Sequence, residues 1–341
     1  MVGSSLICMS HSPAAKAIVE IRSAVRSALE KLSAGDRILI ACSGGADSLA
    51  LSWAVAVEAP RLALQVSAVT IDHQLQDGSE KQSERVLEQL AELGIDDGEV
   101  VKVKVDMRDG LEASARRARY EALNEVAERR GASKIFLGHT QDDQAETVLL
   151  GLARGSGTRS LSGMASESGR YLRPLLGITR QQTMAVCEEA GLTPWSDPHN
   201  HDLQFLRVRV RNRALPVLEE TIGPGVSAAL ARSAALLRDD ADALDEWAGR
   251  EFRSMDWSSM DVEYLSALPR AVRTRILRMA AYAAGSPAGS ILTEHVGAIE
   301  ALVTSWHGQG EVSLPGGVKV HRLSGRLSLL APKPNLTQDL N

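Results

Sequence analysis

The stretch Ile38-Leu39-Ile40-Ala41-Cys42-Ser43-Gly44-Gly45-Ala46-Asp47-Ser48 decides the fold. Its first half is a short apolar run typical of a buried β-strand, and two glycines follow. A helical apolar pattern then continues to about Val57. A strand that leads through glycines into a helix presents the free N–H groups of the helix, and the positive end of its dipole, to an anion. The sequence therefore predicts a phosphate-binding turn at residues 43–48.

Strand and helix patterns alternate around this turn. We expect an amphipathic helix at 14–32, strands at 38–41, 64–71, 100–105 and 135–138, and helices over 79–93, 111–130 and 142–153. A loop at 155–169, a short strand near Tyr171, a helix at 179–190 and a loop at 193–200 follow. Strands that alternate with helices of this length predict an α/β fold, a Rossmann-like, doubly wound parallel sheet with helices on both faces.

The composition changes near Gly223-Pro224-Gly225, where we place a domain boundary. We expect an N-terminal helix at 1–32, a catalytic domain at 33–222 and a C-terminal domain at 223–341. The last of these is predicted to be smaller and mainly helical, with helices at 226–252, 271–284 and 291–305 and a short β-hairpin within 311–330.

Length and charge limit the classes of function. The chain has 341 residues, a net charge of −5 and three cysteines, which lie far apart. This spacing predicts neither a disulfide framework nor a zinc site, and it fits a reducing cytoplasm. No apolar run of about 18 residues indicates a membrane span. A nucleic-acid partner would need a local basic face, because the chain as a whole is acidic.

The predicted turn has a defined set of candidate ligands for a nucleotide. The hydroxyls of Ser43 and Ser48 can donate hydrogen bonds, and Asp47 can hold Mg²⁺. Asp72 and His73 end the second predicted strand and join the candidate ATP-binding set, which is Ser43, Gly44, Gly45, Ala46, Asp47, Ser48, Asp72 and His73. A plain turn with Asp47 or Ser48 as the helix N-cap is the alternative, and a simple turn explains Asp72 and His73 equally well.

The hexapeptide Ser43–Ser48 resembles the PP-loop of the N-type ATP pyrophosphatases, a superfamily that cleaves ATP to AMP and pyrophosphate. The resemblance implies that the loop binds the pyrophosphate portion of ATP and that an oxygen of the substrate is adenylated. Neither a Walker P-loop nor a Rossmann dinucleotide fingerprint occurs in a suitable place. The loop indicates the type of reaction, and other segments must indicate the substrate.

A second motif spans Gly138–Gly157, where a predicted strand ends at His139 and carboxylates follow at Asp142, Asp143 and Glu146. Carboxylates repel phosphate, so they indicate Mg²⁺ or an ammonium group. The alternative is that Asp142 caps the helix, with Glu146 one turn later.

This block resembles that of the tRNA(Ile)-lysidine synthetase family, although Thr140 stands where that family usually has a second histidine. Matching segments occur in the family's order at 112–120, 173–176, 195–200 and 211–216, with a weaker match at 314–322. The resemblance implies an ATP-dependent ligase that joins L-lysine to C2 of cytidine 34 in the CAU anticodon of tRNA(Ile). It implies catalytic roles for Asp47, His139, Asp142 and Asp143, with Mg²⁺ shared by Asp47 and Asp143.

Basic and aromatic side chains supply a candidate tRNA surface, which is Arg116, Arg119, Tyr120, Arg154, Arg207, Arg211 and Arg213. The arginines at 207, 209, 211 and 213 would share one face of an extended segment, although a solvated edge strand or helix explains them equally well. Two other functions remain open, a tRNA cytidine 2-thiolation enzyme and a catalytically silent tRNA-binding module. A homodimer is possible.

Overall fold

The computed structural model describes residues 12–74, 78–104, 111–155, 157–196 and 202–331, with the backbone alone at 111–113. Its helices are α1 Pro13–Leu29, α2 Ala46–Glu58, α3 Ser79–Glu92, α4 Leu111–Arg130, α5 Gln141–Ala153, α6 Thr158–Leu161, α7 Arg180–Glu189, α8 Leu206–Arg209, α9 Leu215–Thr221, α10 Val226–Arg253, α11 Val262–Ala267, α12 Arg270–Ala283 and α13 Thr293–Thr304. Its strands are β1 Arg37–Ala41, β2 Gln65–Asp72, β3 Gly98–Lys102, β4 Lys134–Leu137, β5 Glu167–Ser168, β6 Tyr171–Leu172, β7 Ser259–Asp261, β8 Val312–Ser313, β9 Lys319–Leu323 and β10 Arg326–Leu330.

The first sheet has the strand order β3-β2-β1-β4-β6-β5. β1 pairs in parallel with β2 on one side and with β4 on the other, and only the short β5 is antiparallel to its neighbour. The chain adds β2 and β3 on one side of β1 and then returns to add β4 on the other side. The direction of strand addition therefore reverses, and the switch point lies between the neighbouring strands β1 and β4. Open α/β sheets bind their ligands in the crevice outside the carboxyl ends of the strands at such a point.

Apolar side chains of β1 alternate between two cores. Ile38 and Ile40 pack with helices α1, α2, α3 and α7 on one face, whereas Leu39 and Ala41 pack with α4 on the other. This alternation follows from the two-residue period of a β-strand. It confirms the predicted doubly wound fold with helices on both faces. The predicted N-terminal helix is α1, and it packs into the first of these cores through Ile21, Val25 and Leu29.

The chain divides into two compact units, one up to Arg238 and one from Asp239 onward. The division falls within α10, and the expected boundary at Gly223 stays a prediction. The second unit has its own core and a four-stranded antiparallel sheet in the order β7-β10-β9-β8. The predicted hairpin is β9 and β10, and β7 and β8 extend it. Among the described residues, every helix is too short or too polar to cross a membrane.

The structure decides between the interpretations left open for the arginine-rich segment. The arginines from Arg207 to Arg213 do not lie in an extended segment, because α8 and a following π-helical turn at Val210–Ala214 form a continuous helical run. In a helix the residues at i and i+4 share a face, so Arg207 and Arg211 lie together while Arg209 points elsewhere. The alternative of a charged helix is therefore the observed one.

Candidate active site

The turn after β1 needs its first glycine for two reasons. Gly44 has φ +81°, in the left-handed region that favours glycine, and a Cβ there would lie 2.5 Å from Cγ2 of Val86. Gly45 is the N-cap of α2 in an extended conformation, so the helix begins at Ala46. Neither Asp47 nor Ser48 is the N-cap, and both side chains remain available for other contacts.

Ser48 holds the turn in shape. Its hydroxyl donates to the carbonyl of Gly45 at 2.9 Å and accepts from the main-chain N–H of Ser43 at 3.2 Å. The side chain of Ser48 is buried, whereas Ser43 is exposed. Ser48 therefore stabilises the loop, whereas Ser43 is exposed and lines a neighbouring cavity.

A cavity of about 360 Å³ opens beside this loop. Its lining includes Ser43 and Gly45 of the loop, Asp72 and His73 at the end of β2, and Arg119 and Trp195. Its volume lies in the range of small-molecule sites. The main-chain N–H of Trp195 donates to the carbonyl of Gly44 at 2.8 Å, and this bond joins the loop to residues 192–196. Asp72 also accepts from the N–H of Gln74 at 2.8 Å. The simple turn that was the alternative explanation of Asp72 and His73 is therefore present, and it forms part of the cavity wall.

The loop touches the second motif through its backbone. A Cβ on Gly138, directly after β4, would lie 2.8 Å from the carbonyl oxygen of Asp47. Only glycine permits this approach between the end of one strand and the first turn of α2. The two motifs that are about 90 residues apart in the sequence therefore form one site.

Asp47 extends from this contact toward α7. Its Oδ1 accepts from the hydroxyl of Thr183 at 2.6 Å, and its Oδ2 accepts from Nη2 of Arg180 at 3.1 Å. Burial raises the pKa of Asp47, and the neighbouring Arg180 opposes that shift. Thr183 and Arg180 thus fix both carboxylate oxygens.

Asp143 lies on the other side of Arg180. Its Oδ2 accepts from the N–H of Thr140 at 2.8 Å and from the Thr140 hydroxyl at 3.1 Å, which completes a capping box at the start of α5. Thr140, and not Asp142, is therefore the N-cap of this helix. Burial raises the pKa of Asp143, but Arg207, His139, the N–H of Thr140 and Arg180 together outweigh burial, and the net effect lowers the pKa. Asp142 instead accepts from the main-chain N–H of Arg180 at 2.8 Å.

Glu146 is the most buried acid of the site, with a side chain that is 0% exposed. Nε of Arg207 donates to its Oε2 at 2.6 Å, and Nε of Arg211 donates to its Oε1 at 2.5 Å. Nη2 of the same two arginines lies 3.6 Å and 3.4 Å from Oδ1 of Asp143. The helical run formed by α8 and the following π-helical turn thereby neutralises both carboxylates. We name Asp47, Asp142, Asp143, Glu146, Arg180, Arg207 and Arg211 the charged cluster.

His139 and Tyr120 lie in the same region. Burial lowers the pKa of His139 to about 3, so its imidazole is neutral at physiological pH, and its buried Nδ1 has no hydrogen-bond partner within the described protein. Burial opposes ionisation of Tyr120, but its hydrogen bond with Arg173 and the charge of Arg116 lower the pKa of its hydroxyl. Arg116 also stacks on the Tyr120 ring, with Cζ 4.9 Å from the ring centre. A basic and aromatic edge therefore borders the charged cluster.

Three of the predicted tRNA-binding residues are absent from the cavity lining. Arg116, Arg154 and Arg213 are exposed, and Arg154 follows the end of α5 as its C-cap. Arg119 is half-buried and lines the cavity, and burial lowers its pKa. Of the seven predicted residues, Arg119, Arg207 and Arg211 are therefore part of the site itself, whereas the exposed ones can meet a large ligand only from outside. The segment 195–200 is one of those that resemble the family, and its residues Asp197–Asn200 lie outside the described part of the chain.

Comparisons with known proteins agree with this geometry. A family model described as "PP-loop domain" matches residues 17–218, and one described as "TilS substrate binding domain" matches residues 260–328. The chain is 51% identical to a tRNA(Ile)-lysidine synthase of Thermobifida fusca over 95% of this chain and 100% of that protein. The protein belongs to the tRNA(Ile)-lysidine synthase family. A tRNA(Ile)-lysidine synthase of Streptomyces coelicolor is 52% identical over 85% of this chain and 84% of its own.

Among solved structures, the U34-tRNA thiolase NcsA from Methanococcus maripaludis superposes with a TM-score of 0.56. It is 18% identical and the match covers 65% of this chain and 80% of that one, so the likeness shows the fold alone. Membership of the tRNA(Ile)-lysidine synthase family confirms the predicted family, and it makes the protein an ATP-using ligase of the PP-loop fold.

Sequence reasoning missed the partners of Asp47 in this tRNA(Ile)-lysidine synthase fold. Thr179 and Gln182 form a capping box that a T-x-x-Q pattern predicts, and this pattern could have placed Arg180 in the first turn of α7. It could not have shown that Arg180 and Thr183 reach a carboxylate more than 130 residues earlier. Such a pairing follows from the packing of α7 against α2.

Proposed function

We propose that this protein joins L-lysine to C2 of cytidine 34 in the CAU anticodon of tRNA(Ile), with ATP cleaved to AMP and pyrophosphate. The C2 oxygen of the cytosine attacks the α-phosphate of ATP, and pyrophosphate leaves. The lysine amine then attacks C2, its proton passes to the medium or to a nearby base, and AMP leaves with the former C2 oxygen. Adenylation is needed because that oxygen is a poor leaving group until a phosphate carries its charge.

One observation supports this function above the others: Asp47 belongs to the PP-loop, whose Ser43 and Gly45 line the cavity, and its side chain belongs to the charged cluster through Arg180. The cavity beside the PP-loop offers hydroxyls, free helix N–H groups and Arg119, which suit a triphosphate. The charged cluster next to it offers four carboxylates, which suit an ammonium group or a metal ion and repel phosphate. A reaction that brings ATP and an amine to one cytosine needs this juxtaposition.

The carboxylates at 47 and 143 fit Mg²⁺ in the number and kind of their oxygens. Among the residues that the structure describes, no group of three or more His, Cys, Asp or Glu side chains could hold a metal. Mg²⁺ bound to nucleotides usually takes one or two carboxylates and fills its other positions with phosphate oxygens and water. When bound, the ion would neutralise the charge that develops on the pyrophosphate. We assign its protein ligands as Asp47 and Asp143.

The chain's own residues define the rest of the proposed site. Ser43 and the main chain of Gly45 bind phosphate oxygens, while Ser48 keeps the turn rigid. His139, which is neutral because it is buried, and Asp142 lie at the border of the lysine or adenylate site. The charged cluster receives the lysine ammonium, where Arg207 and Arg211 must share Glu146 and Asp143 with it. Arg119 lines the cavity, and Arg116 and Tyr120 lie on the same helix, α4; we assign these three residues to the anticodon nucleoside, and Arg154 and Arg213 to tRNA phosphates.

The thiolation alternative does not suit the cysteines in the described part of the chain. Cys42 and Cys187 are both buried and free. Burial raises the pKa of the Cys187 thiol to about 12 and also raises that of Cys42, so neither forms the thiolate that sulfur transfer needs. A silent tRNA-binding module would have no need of a pocket with an intact PP-loop.

The proposal is tested by incubating the full-length protein with ATP, L-lysine and an unmodified tRNA(Ile) transcript with a CAU anticodon. We expect the mass of nucleoside 34 to rise by that of lysine minus water, with one AMP formed per modified tRNA. Omission of lysine is the matched control, because adenylation then stops before C–N bond formation. An unchanged mass of nucleoside 34 in folded protein, at several Mg²⁺ concentrations, would overturn the assignment.

Pyrophosphate exchange separates catalysis from mere binding. We expect ATP–pyrophosphate exchange that requires the tRNA, and a binding module would show none. For the metal assignment, Asp143→Ala should lose turnover at subsaturating Mg²⁺, and full turnover in that variant would exclude Asp143 as a ligand. A homodimer and a cytoplasmic location remain predictions.

A further inference from the structure

One guanidinium lies between the two carboxylates assigned to the metal. Nη2 of Arg180 is 3.1 Å from Oδ2 of Asp47 and 3.8 Å from Oδ1 of Asp143. These oxygens come from different motifs, one after β1 and the other after β4, and they face the same position. In this structure the position is held by a cation that belongs to the protein.

We propose that Arg180 is the resident counter-cation of the Asp47 and Asp143 carboxylates, and that a divalent cation must displace it to bind there. The inference rests on the metal assignment in the proposed function. It predicts that the nucleotide-free protein binds Mg²⁺ weakly and that the ion is retained only when nucleotide phosphates help to hold it. The displaced guanidinium then lies beside the PP-loop, where it can pair with phosphate oxygens.

The local structure permits this exchange without movement of the backbone. Arg180 is the first residue of α7, and its main-chain N–H is fixed to Asp142 at 2.8 Å. Its side chain is 32% exposed, so the guanidinium has a path to solvent. Thr183 holds Oδ1 of Asp47 at 2.6 Å independently of Arg180. Asp47 therefore keeps its orientation when the guanidinium leaves.

Charge balance supports the same role. The charged cluster contains four carboxylates and three guanidinium groups, and Glu146 binds two of the latter, Arg207 and Arg211, through their Nε atoms. Arg180 differs from these two arginines, because its Nε donates to Asp47, at 3.3 Å, and not to Glu146. Its departure would remove the guanidinium from Asp47, while Asp143 keeps Nη2 of Arg207 at 3.6 Å and of Arg211 at 3.4 Å, and a divalent cation would restore the lost positive charge. The other two arginines cannot leave without uncovering the buried Glu146.

Mn²⁺ binding to the nucleotide-free, full-length protein tests the inference through the electron paramagnetic resonance signal of the free ion. We expect R180Q to bind Mn²⁺ roughly tenfold more tightly than the wild type, because the competing charge is removed. R180K should show a smaller gain, since an ammonium lacks the planar fork of donors. D47N/R180Q should lose the gain. R209Q is the matched control, because Arg209 is exposed and, within the described part of the chain, donates to the main-chain carbonyls of Leu203 and Gln204.

Equal Mn²⁺ affinity in the wild type and folded R180Q would overturn the inference, as would a gain that survives in D47N/R180Q. Circular dichroism and thermal unfolding check the fold of each variant. If R180Q does not fold, R180K decides, and an unchanged Mn²⁺ affinity in R180K contradicts the inference. The nucleoside 34 assay on wild-type protein is separate: tighter Mn²⁺ binding in R180Q without any lysidine formation would reject the proposed function and retain the inference.

Discussion

Two buried glutamates of this protein are each paired with two arginines, but they lie at different positions in the fold. Glu58, at the end of α2, is 1% exposed and accepts from Nε of Arg22 at 2.6 Å and Nε of Arg26 at 2.9 Å. Glu146, in α5, is 0% exposed and accepts from Nε of Arg207 and Nε of Arg211. In both cases the arginines are four residues apart on one helical face.

The difference lies in what surrounds each pair. Glu58 ends a helix that runs away from the PP-loop, and its arginines fasten α1 to α2. Glu146 lies one turn after Asp143, and its arginines also approach that second carboxylate. A buried ion pair alone therefore does not mark an active site. In the proposed function, the position of Glu146 near the carboxyl ends of the strands, next to other charges, distinguishes it from Glu58.

The strongest test of this comparison is turnover. Glu146→Gln should lower the rate of lysine incorporation into tRNA by about 100-fold or more, because Arg207 and Arg211 lose their shared anchor beside Asp143. The matched Glu58→Gln should keep the rate within about threefold, measured well below its unfolding temperature. Initial rates at saturating ATP and lysine measure both. Equal losses in the two variants would contradict the distinction.

Loss of Glu58 should affect stability more than turnover. We expect Glu58→Gln to destabilise the N-terminal unit by about 1–3 kcal/mol, less than for a fully buried pair, since Arg22 and Arg26 can return to water. Hydrogen exchange of the α1 amides measures this loss. Glu128→Gln is the control, because that carboxylate is 71% exposed and should change stability by less than about 0.5 kcal/mol. Unchanged protection of α1 in Glu58→Gln would show that the pair does not hold the helix.

Acid should remove the same contribution gradually. The hydrogen bond from Arg26, assisted by Arg22, lowers the pKa of Glu58 from 4.5 to about 2. Because the folded state has the lower pKa, the contribution is complete above pH 4.5 and declines as the pH falls toward 2. We expect a loss of about 2 kcal/mol over this window, seen as a fall in the urea midpoint. Glu58→Gln should lack this part of the pH dependence, and an identical profile in both proteins would refute the assignment.

The sequence contained enough local information for the PP-loop and too little for the pairing around it. A strand, two glycines and a helix are consecutive, so the turn at Gly44 could be predicted. Arg180 could not be linked to Asp47, because their contact depends on how α7 packs against α2. The arginines at 207 and 211 were open to two interpretations, since alternate charges suit a strand and an i, i+4 pair suits a helix. In the structure the segment is helical, and Arg207 and Arg211 both pair with the buried Glu146. The strand β7 was not predicted, because three residues are too few to show a pattern.

The arginines at the two ends of α4 are expected to contribute differently to tRNA binding. Arg129 pairs with Glu99 at 2.8 Å near the amino ends of the strands, whereas Arg116 is exposed on Tyr120 beside the cavity. If Arg116 contacts a phosphate, Arg116→Gln should reduce the slope of log K for tRNA binding against log salt by about 0.7–0.9, and Arg129→Gln should leave that slope unchanged. Filter binding at several salt concentrations measures both. A reduced slope in both variants would mean that the tRNA surface extends along the whole helix, and an unchanged slope in both would place the phosphates away from α4.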